Sequence, residues 1–119
     1  MTRIRLLLTS AAAVALVAAA PTAAAPAATK LTGTVGPNFT ITLTKAGKKV
    51  TKLKAGAYTF AIRDKSDFHN FHLTGPGVNK KTTVAAVGNK TWTLTLKKGT
   101  YKYVCDPHKT QMKGSFTVT

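Results

Sequence analysis

A thiol, an imidazole and a thioether fall within one short run near the C-terminus, Cys105-Asp106-Pro107-His108-Lys109-Thr110-Gln111-Met112. Cys105 is the one cysteine, so this run cannot serve a disulfide within the chain. Soft sulfur with imidazole suits copper. Two imidazoles and a thiolate in a plane, with a weak thioether above, describe a blue-copper centre that accommodates both Cu(I) and Cu(II). The second imidazole must come from elsewhere, and His69-Asn70-Phe71-His72 offers two candidates. Strand alternation puts His69, Phe71 and Leu73 on one face and Asn70 with His72 on the other. Phe71 and Leu73 read as core, so His69 is expected to point inward and His72, the second choice, to face solvent. Asn70 is then placed to hydrogen-bond across to the Cys105 loop and hold the donors in position. Pro107 stiffens that loop and offers no backbone N–H. Met112 can return over the metal before the Lys113-Gly114 turn. The expected metal ligands are therefore His69, Cys105, His108 and Met112, around one copper ion.

Such a site needs a rigid frame, and the chain after residue 29 reads as β throughout. Tyr58, Phe60 and Ile62 alternate with Ala57, Thr59 and Ala61; Trp92, Leu94 and Leu96 alternate with threonines; Phe116 and Val118 alternate with Ser115, Thr117 and Thr119. Period two marks strands with one face in and one face wet. Turn signals at Gly36-Pro37-Asn38, Ala46-Gly47, Gly56, Gly75-Pro76-Gly77, Gly88-Asn89 and Gly99 separate them. Seven to eight short strands at this spacing predict an all-β sandwich or barrel. Leu53 to Phe60 and Leu96 to Tyr103 echo each other: each is a Gly turn feeding a strand that opens with an aromatic.

Residues 1–28 read as an export signal peptide. Arg3 and Arg5 precede an apolar stretch from Leu6 to Ala20, and the Ala-rich run to Ala28 offers small-residue cleavage sites between about residues 20 and 28. The apolar stretch is short of the roughly 20 residues a bilayer span needs. The remainder, 29–119, is one domain of about 90 residues, placed by this reading in the periplasm or outside the cell and expected to be a monomer. With no disulfide, its stability must come from a packed core and from bound metal.

Eighteen basic residues stand against three acidic ones, a net charge of +15. Such a field draws the molecule toward anionic partners. Nucleic acid is not expected: the lysines sit in turns and are not interleaved with stacking aromatics.

The pairing of His69-Asn70 with Cys105-x-x-His108-x-x-x-Met112 resembles the plastocyanin, amicyanin and pseudoazurin group of cupredoxins, over nearly all of Leu31 to Thr119. That resemblance implies a Greek-key β-sandwich with one type 1 copper near one end. His69, Cys105 and His108 would be strong ligands, Met112 axial and Asn70 the loop tie. It also implies electron exchange through the imidazole edge of His108. The spacing from His108 to Met112 is shorter than in plastocyanins and longer than in amicyanins, which leaves Gln111 as an alternative axial donor. The acidic docking patch of plastocyanins is absent.

The leading expectation is a soluble carrier of single electrons with an acidic redox protein as partner, docking through Pro37, Pro76 and neighbouring apolar loop residues. The alternative is a copper carrier or buffer that delivers metal to an oxidase or a resistance system. An enzyme is not expected. A second catalytic copper would need more than the three histidines present, and no base-orienting group accompanies Cys105 and His108. Structural zinc usually brings more cysteines.

Overall fold

The computed structural model describes residues 10–22 and 27–119. Arg3, Arg5 and the start of the apolar stretch lie outside the described residues, as do residues 23–26 of the Ala-rich run. Residues 10–22 form neither helix nor strand, and among the described residues no helix is long and apolar enough to cross a membrane.

Ten strands follow: β1 (Thr29–Val35), β2 (Ile41–Lys45), β3 (Lys48–Lys49), β4 (Lys52–Leu53), β5 (Gly56–Asp64), β6 (His72–Gly75), β7 (Val78–Lys81), β8 (Gly88–Leu96), β9 (Gly99–Val104) and β10 (Lys113–Val118). Two of them, β3 and β4, are two-residue pieces. They form two five-stranded sheets, β3-β2-β1-β5-β8 and β4-β10-β9-β6-β7. Both sheets are mixed, because β1 runs parallel to β5 and β4 parallel to β10. The expected all-β sandwich is the architecture observed.

The alternating pattern explains the core. Along β5, Tyr58, Phe60, Ile62 and Asp64 are buried while their neighbours are partly or fully exposed. Leu31, Leu43, Phe60 and Ile62 of the first sheet meet Leu73, Tyr101, Tyr103 and Phe116 of the second, with Phe71 added from the loop just before β6. Phe71 stacks on Tyr103 at 5.5 Å and Tyr101 on Phe116 at 5.3 Å between ring centroids, offset-stacked pairs that add to simple area burial. Trp92 and Leu94 are only half-buried, because β8 is an edge strand and covers the core from its rim.

The two echoing segments adopt the same local structure. Gly56 and Gly99 take φ of 149° and 145°, conformations costly for residues with a Cβ. The aromatic after each glycine ties back four residues: the Tyr58 hydroxyl donates to the Lys54 carbonyl at 2.6 Å, and the Tyr101 hydroxyl lies 3.2 Å from the Lys97 carbonyl.

Strand directions sort the loops into two sets. Segments 36–40, 65–71, 82–87 and 105–112 gather at one end of the sandwich. The turns at 46–47, 54–55, 76–77 and 97–98 gather at the other, with the start of β1.

Candidate metal centre

Cys105 follows directly on β9, and the loop after it folds back on itself. The Cys105 N–H donates to the Met112 carbonyl (3.0 Å), His108 N–H to the Cys105 carbonyl (3.0 Å) and Met112 N–H to the His108 carbonyl (2.8 Å). A single 3-10 turn, Asp106–His108, with Pro107 in its first positions, makes the bend; proline's fixed φ and missing N–H suit that place. The bend returns His108 Nδ1 to 3.6 Å from Cys105 Sγ. From the loop between β5 and β6, His69 Nδ1 comes to 3.6 Å from the same sulfur and 3.2 Å from His108 Nδ1.

Three donor atoms at these separations leave a point about 2 Å from each, comparable with metal–nitrogen and metal–thiolate bonds of about 2.0–2.3 Å. Two imidazole nitrogens and one thiol make a borderline-to-soft set without a carboxylate, the chemistry copper favours. His69 and Cys105 are buried and His108 is half-buried, so one imidazole alone gives the cluster an edge toward solvent. The residues present thus fit a single copper ion. Met112 is fully buried and packs with Cys105 and Val35, whereas Gln111 is exposed.

A hydrogen-bond frame fixes the cluster. Asn70 Oδ1 accepts the Asp106 N–H at 2.7 Å, and Asn70 Nδ2 donates to Asp106 Oδ2 at 2.8 Å and to the Thr82 carbonyl at 3.2 Å. Asn70 thereby joins three of the four loops at this end. Thr82 Oγ1 accepts the Phe71 N–H at 2.9 Å. Burial pushes the Asp106 carboxyl up, but hydrogen bonds from His72 and Asn70 and the charges of His72 and Lys109 outweigh it and hold its pKa below the ordinary value. Asp64 is shifted the other way. Burial raises its pKa against the opposing effects of the Ser66 N–H and the charge of His69, and its Oδ2 has no hydrogen-bond partner among the described residues. Gly36 is required by close approach: a Cβ there would come within 2.9 Å of Ser66 Cβ and 3.4 Å of the His69 ring, at a φ of 73°.

Three sequence expectations need correction. His69 is not on a strand: β6 begins at His72, and His69, Asn70 and Phe71 precede it, all buried. His72 does not simply face solvent. It is half-buried, with Nδ1 2.8 Å from Asp106 Oδ1 and Nε2 2.7 Å from Asn79 Oδ1. Pro76 is not near the cluster, because β6 runs away from it and carries Pro76 to the opposite end, where its carbonyl faces the Tyr101 hydroxyl.

Pro37 does lie beside the cluster, in an apolar face shared with Phe39, Phe68, Val84, Pro107 and His108. Phe39 meets His108 edge-on at 4.8 Å and His69 at 5.4 Å. Phe39 and Phe68 are 58% and 70% exposed, too exposed for core. Phe39 is in phase with Ile41 and Leu43 and no turn signal marks Phe68, so the spacing carried no sign of their exposure. Nothing in the spacing announced the Asp106–His72 contact.

A model of the copper-binding proteins of the plastocyanin/azurin family matches residues 40–119, which include every donor named above. The chain belongs to that family. Its cofactor is therefore copper, and the cupredoxin expectation holds. Among solved structures, reduced rusticyanin is similar at 21% identity over 76% of this chain and 78% of that one, with a TM-score of 0.58. Reduced rusticyanin solved by NMR gives 22% over 76% of each chain and 0.54. A methionine-to-glutamine variant of amicyanin in the Cu(I) state gives 18%, over 76% of this chain and 82% of that one, and 0.50. At these identities the likeness is one of fold. A comparison with curated protein sequences finds no match.

Proposed function

We propose that this cupredoxin is an exported, monomeric carrier of single electrons, in which His69, Cys105 and His108 would hold the copper, with Met112 as a fourth, weaker donor. The observation that carries the reading is the convergence of Nδ1, Nδ1 and Sγ from two buried residues and the half-buried His108. Bound there, copper supplies a one-electron couple between Cu(I) and Cu(II). Asn70 and Asp106 hold the Cys105 loop against the His69 loop, so the donors have little room to rearrange. His108 presents its edge within an apolar face whose charged lining residue is Asp67, a surface suited to small, weak and quickly released contacts with a redox protein. Lys65 and Lys109, exposed in the adjoining loops, offer cations at the rim for an acidic partner. Burial of Cys105 and His69 favours retention of the metal over its delivery to another protein.

The test is a visible absorption spectrum of the exported protein titrated with Cu(II), beside Cys105→Ser. An intense thiolate-to-copper band is expected in the parent alone, bleached by reductant and slow to fade against a copper chelator. Absence of the band would reject the type 1 site, and rapid metal loss would turn the reading toward copper delivery.

A further inference from the structure

His72 is not among the donors of the cluster, yet it engages the chain on both sides of Cys105. Along β6 and β9 its backbone is in register with Val104, the residue before Cys105. Its ring reaches Asp106, the residue after Cys105, with Nδ1 2.8 Å from Oδ1. The pKa of Asp106 is held below its ordinary value, and an ionised carboxylate only accepts hydrogen bonds. Nδ1 is therefore the donor, whichever charge the ring carries. From β7, Asn79 props the other side of the ring, its Oδ1 2.7 Å from Nε2. The side chains of His72 and Asp106 are only 19% and 28% exposed, which spares the pair much of the screening that weakens surface contacts.

The two oxygens of Asp106 are thus divided. Oδ1 takes His72 from the sheet, and Oδ2 takes Asn70 from the His69 loop. Asn70 ties one loop to another. His72 ties the Cys105 loop to a strand whose next residue, Leu73, is fully buried opposite the buried Tyr103. Positions on strands hold a site more precisely than positions on loops, so the sheet's rigidity reaches Cys105 through His72.

We infer that His72 is a positioning residue for the copper centre: paired with Val104 on one side and Asp106 on the other, it brackets Cys105 and fixes the thiolate relative to His69, so that the donors move little when an electron arrives or leaves. The effect on electron exchange rests on the proposed carrier role; the bracket itself does not.

The test compares His72→Asn, whose amide nitrogen can occupy the place of Nδ1, with His72→Phe, which keeps a ring and offers no donor. In the copper-free protein, hydrogen exchange at the Cys105 and Asp106 amides, followed by NMR, should quicken about tenfold or more in His72→Phe, as loss of a hydrogen bond to a charged group predicts. In His72→Asn it should stay within about threefold of the parent. With copper, His72→Phe should slow electron self-exchange severalfold and shift the thiolate-to-copper band, and His72→Asn should restore both. Amide exchange as slow in His72→Phe as in the parent would overturn the bracket. Equal loss in both variants would assign the effect to ring packing and overturn the part given to the hydrogen bond. Faster amide exchange with an unaltered band and self-exchange rate would make the contact purely structural and overturn its role at copper. A parent without the band rejects the copper reading of the site, while amide exchange, read without metal, still decides the bracket.

Discussion

The two ends of this sandwich are built from the same strands and do opposite things with polar groups. At the metal end, two of the four loops turn polar side chains inward: Ser66, His69 and Asn70 in one and Thr82 in the other are buried, and Asn70 alone joins three segments. At the far end the turns are short, the lysines point outward, and the inward ties are the tyrosine hydroxyls of β5 and β9 reaching nearby carbonyls. Buried polar networks specify one arrangement and are costly when a partner is lost. Solvated lysines specify little about the fold and act through their field. The metal end thus uses its polar groups to fix atoms, and the far end leaves its charges in solvent.

The largest effect that should separate the ends is Asn70→Ala. It orphans the Asp106 N–H and the Thr82 carbonyl, and unfolding by denaturant should show a loss of about 3 kcal/mol at roughly 1–3 kcal/mol per buried group left unpaired. The copper band should shift or weaken in the same variant. An unchanged midpoint would mean the loops are held by packing alone.

The far-end counterpart is Tyr101→Phe. Its hydroxyl accepts the Lys97 N–H at 3.0 Å and lies within 3.1 Å of the Pro76 carbonyl. Removal should cost about 1–2 kcal/mol and leave the absorption band where it was. A spectral change would show that the ends are mechanically coupled.

Acid titration offers a smaller contrast, since the carboxylate side chains all belong to the metal end. The Asp64 pKa is raised from 3.8, so the folded state binds this proton more tightly than the unfolded state. Its contribution to stability is present at low pH and is lost as pH rises from about 3.8 through the folded pKa. Thermal unfolding of metal-free Asp64→Asn across mildly acidic pH should therefore fall less steeply with rising pH than the parent. A steeper fall would contradict the sign.

The smallest stability effect is expected at Phe68, exposed on the apolar face. Phe68→Ser should change stability by no more than about 0.5 kcal/mol, yet stopped-flow mixing with a redox partner should show slower electron exchange. Lys54→Gln should alter neither stability nor exchange at the metal edge. Equal exchange rates in Phe68→Ser and the parent would remove the apolar face from the docking surface.

Much of the frame was legible in the chain because period two survives wherever one strand face is buried, as along β5 and β10. The reading faltered at Trp92 and Leu94, whose pattern is that of core. Their half-burial follows from β8 lying at a sheet edge, a matter of strand order that local sequence does not contain. Alternation also chose His69 over His72 although His69 is in a loop; the inward direction came from Phe71 and Leu73 beside it, while the strand itself begins later. Pro37 and Pro76 looked alike as exposed loop prolines, and only the direction of β6 sends them to opposite ends.

The amino-acid sequence by itself determined the donor types, the order Cys105, His108, Met112 with its folded-back loop, the β frame and the excess of lysine. These rest on short-range chemistry: side-chain softness, strand period and turn residues act over a few positions. Tertiary structure alone decided that His69 meets Cys105 across 36 residues, that Asp106 is shared between Asn70 and His72, and that all three carboxylate side chains gather at one end. Each of these depends on how β1, β5, β9 and β10 pair and which way they run, and pairing is set by burying one face of every strand at once.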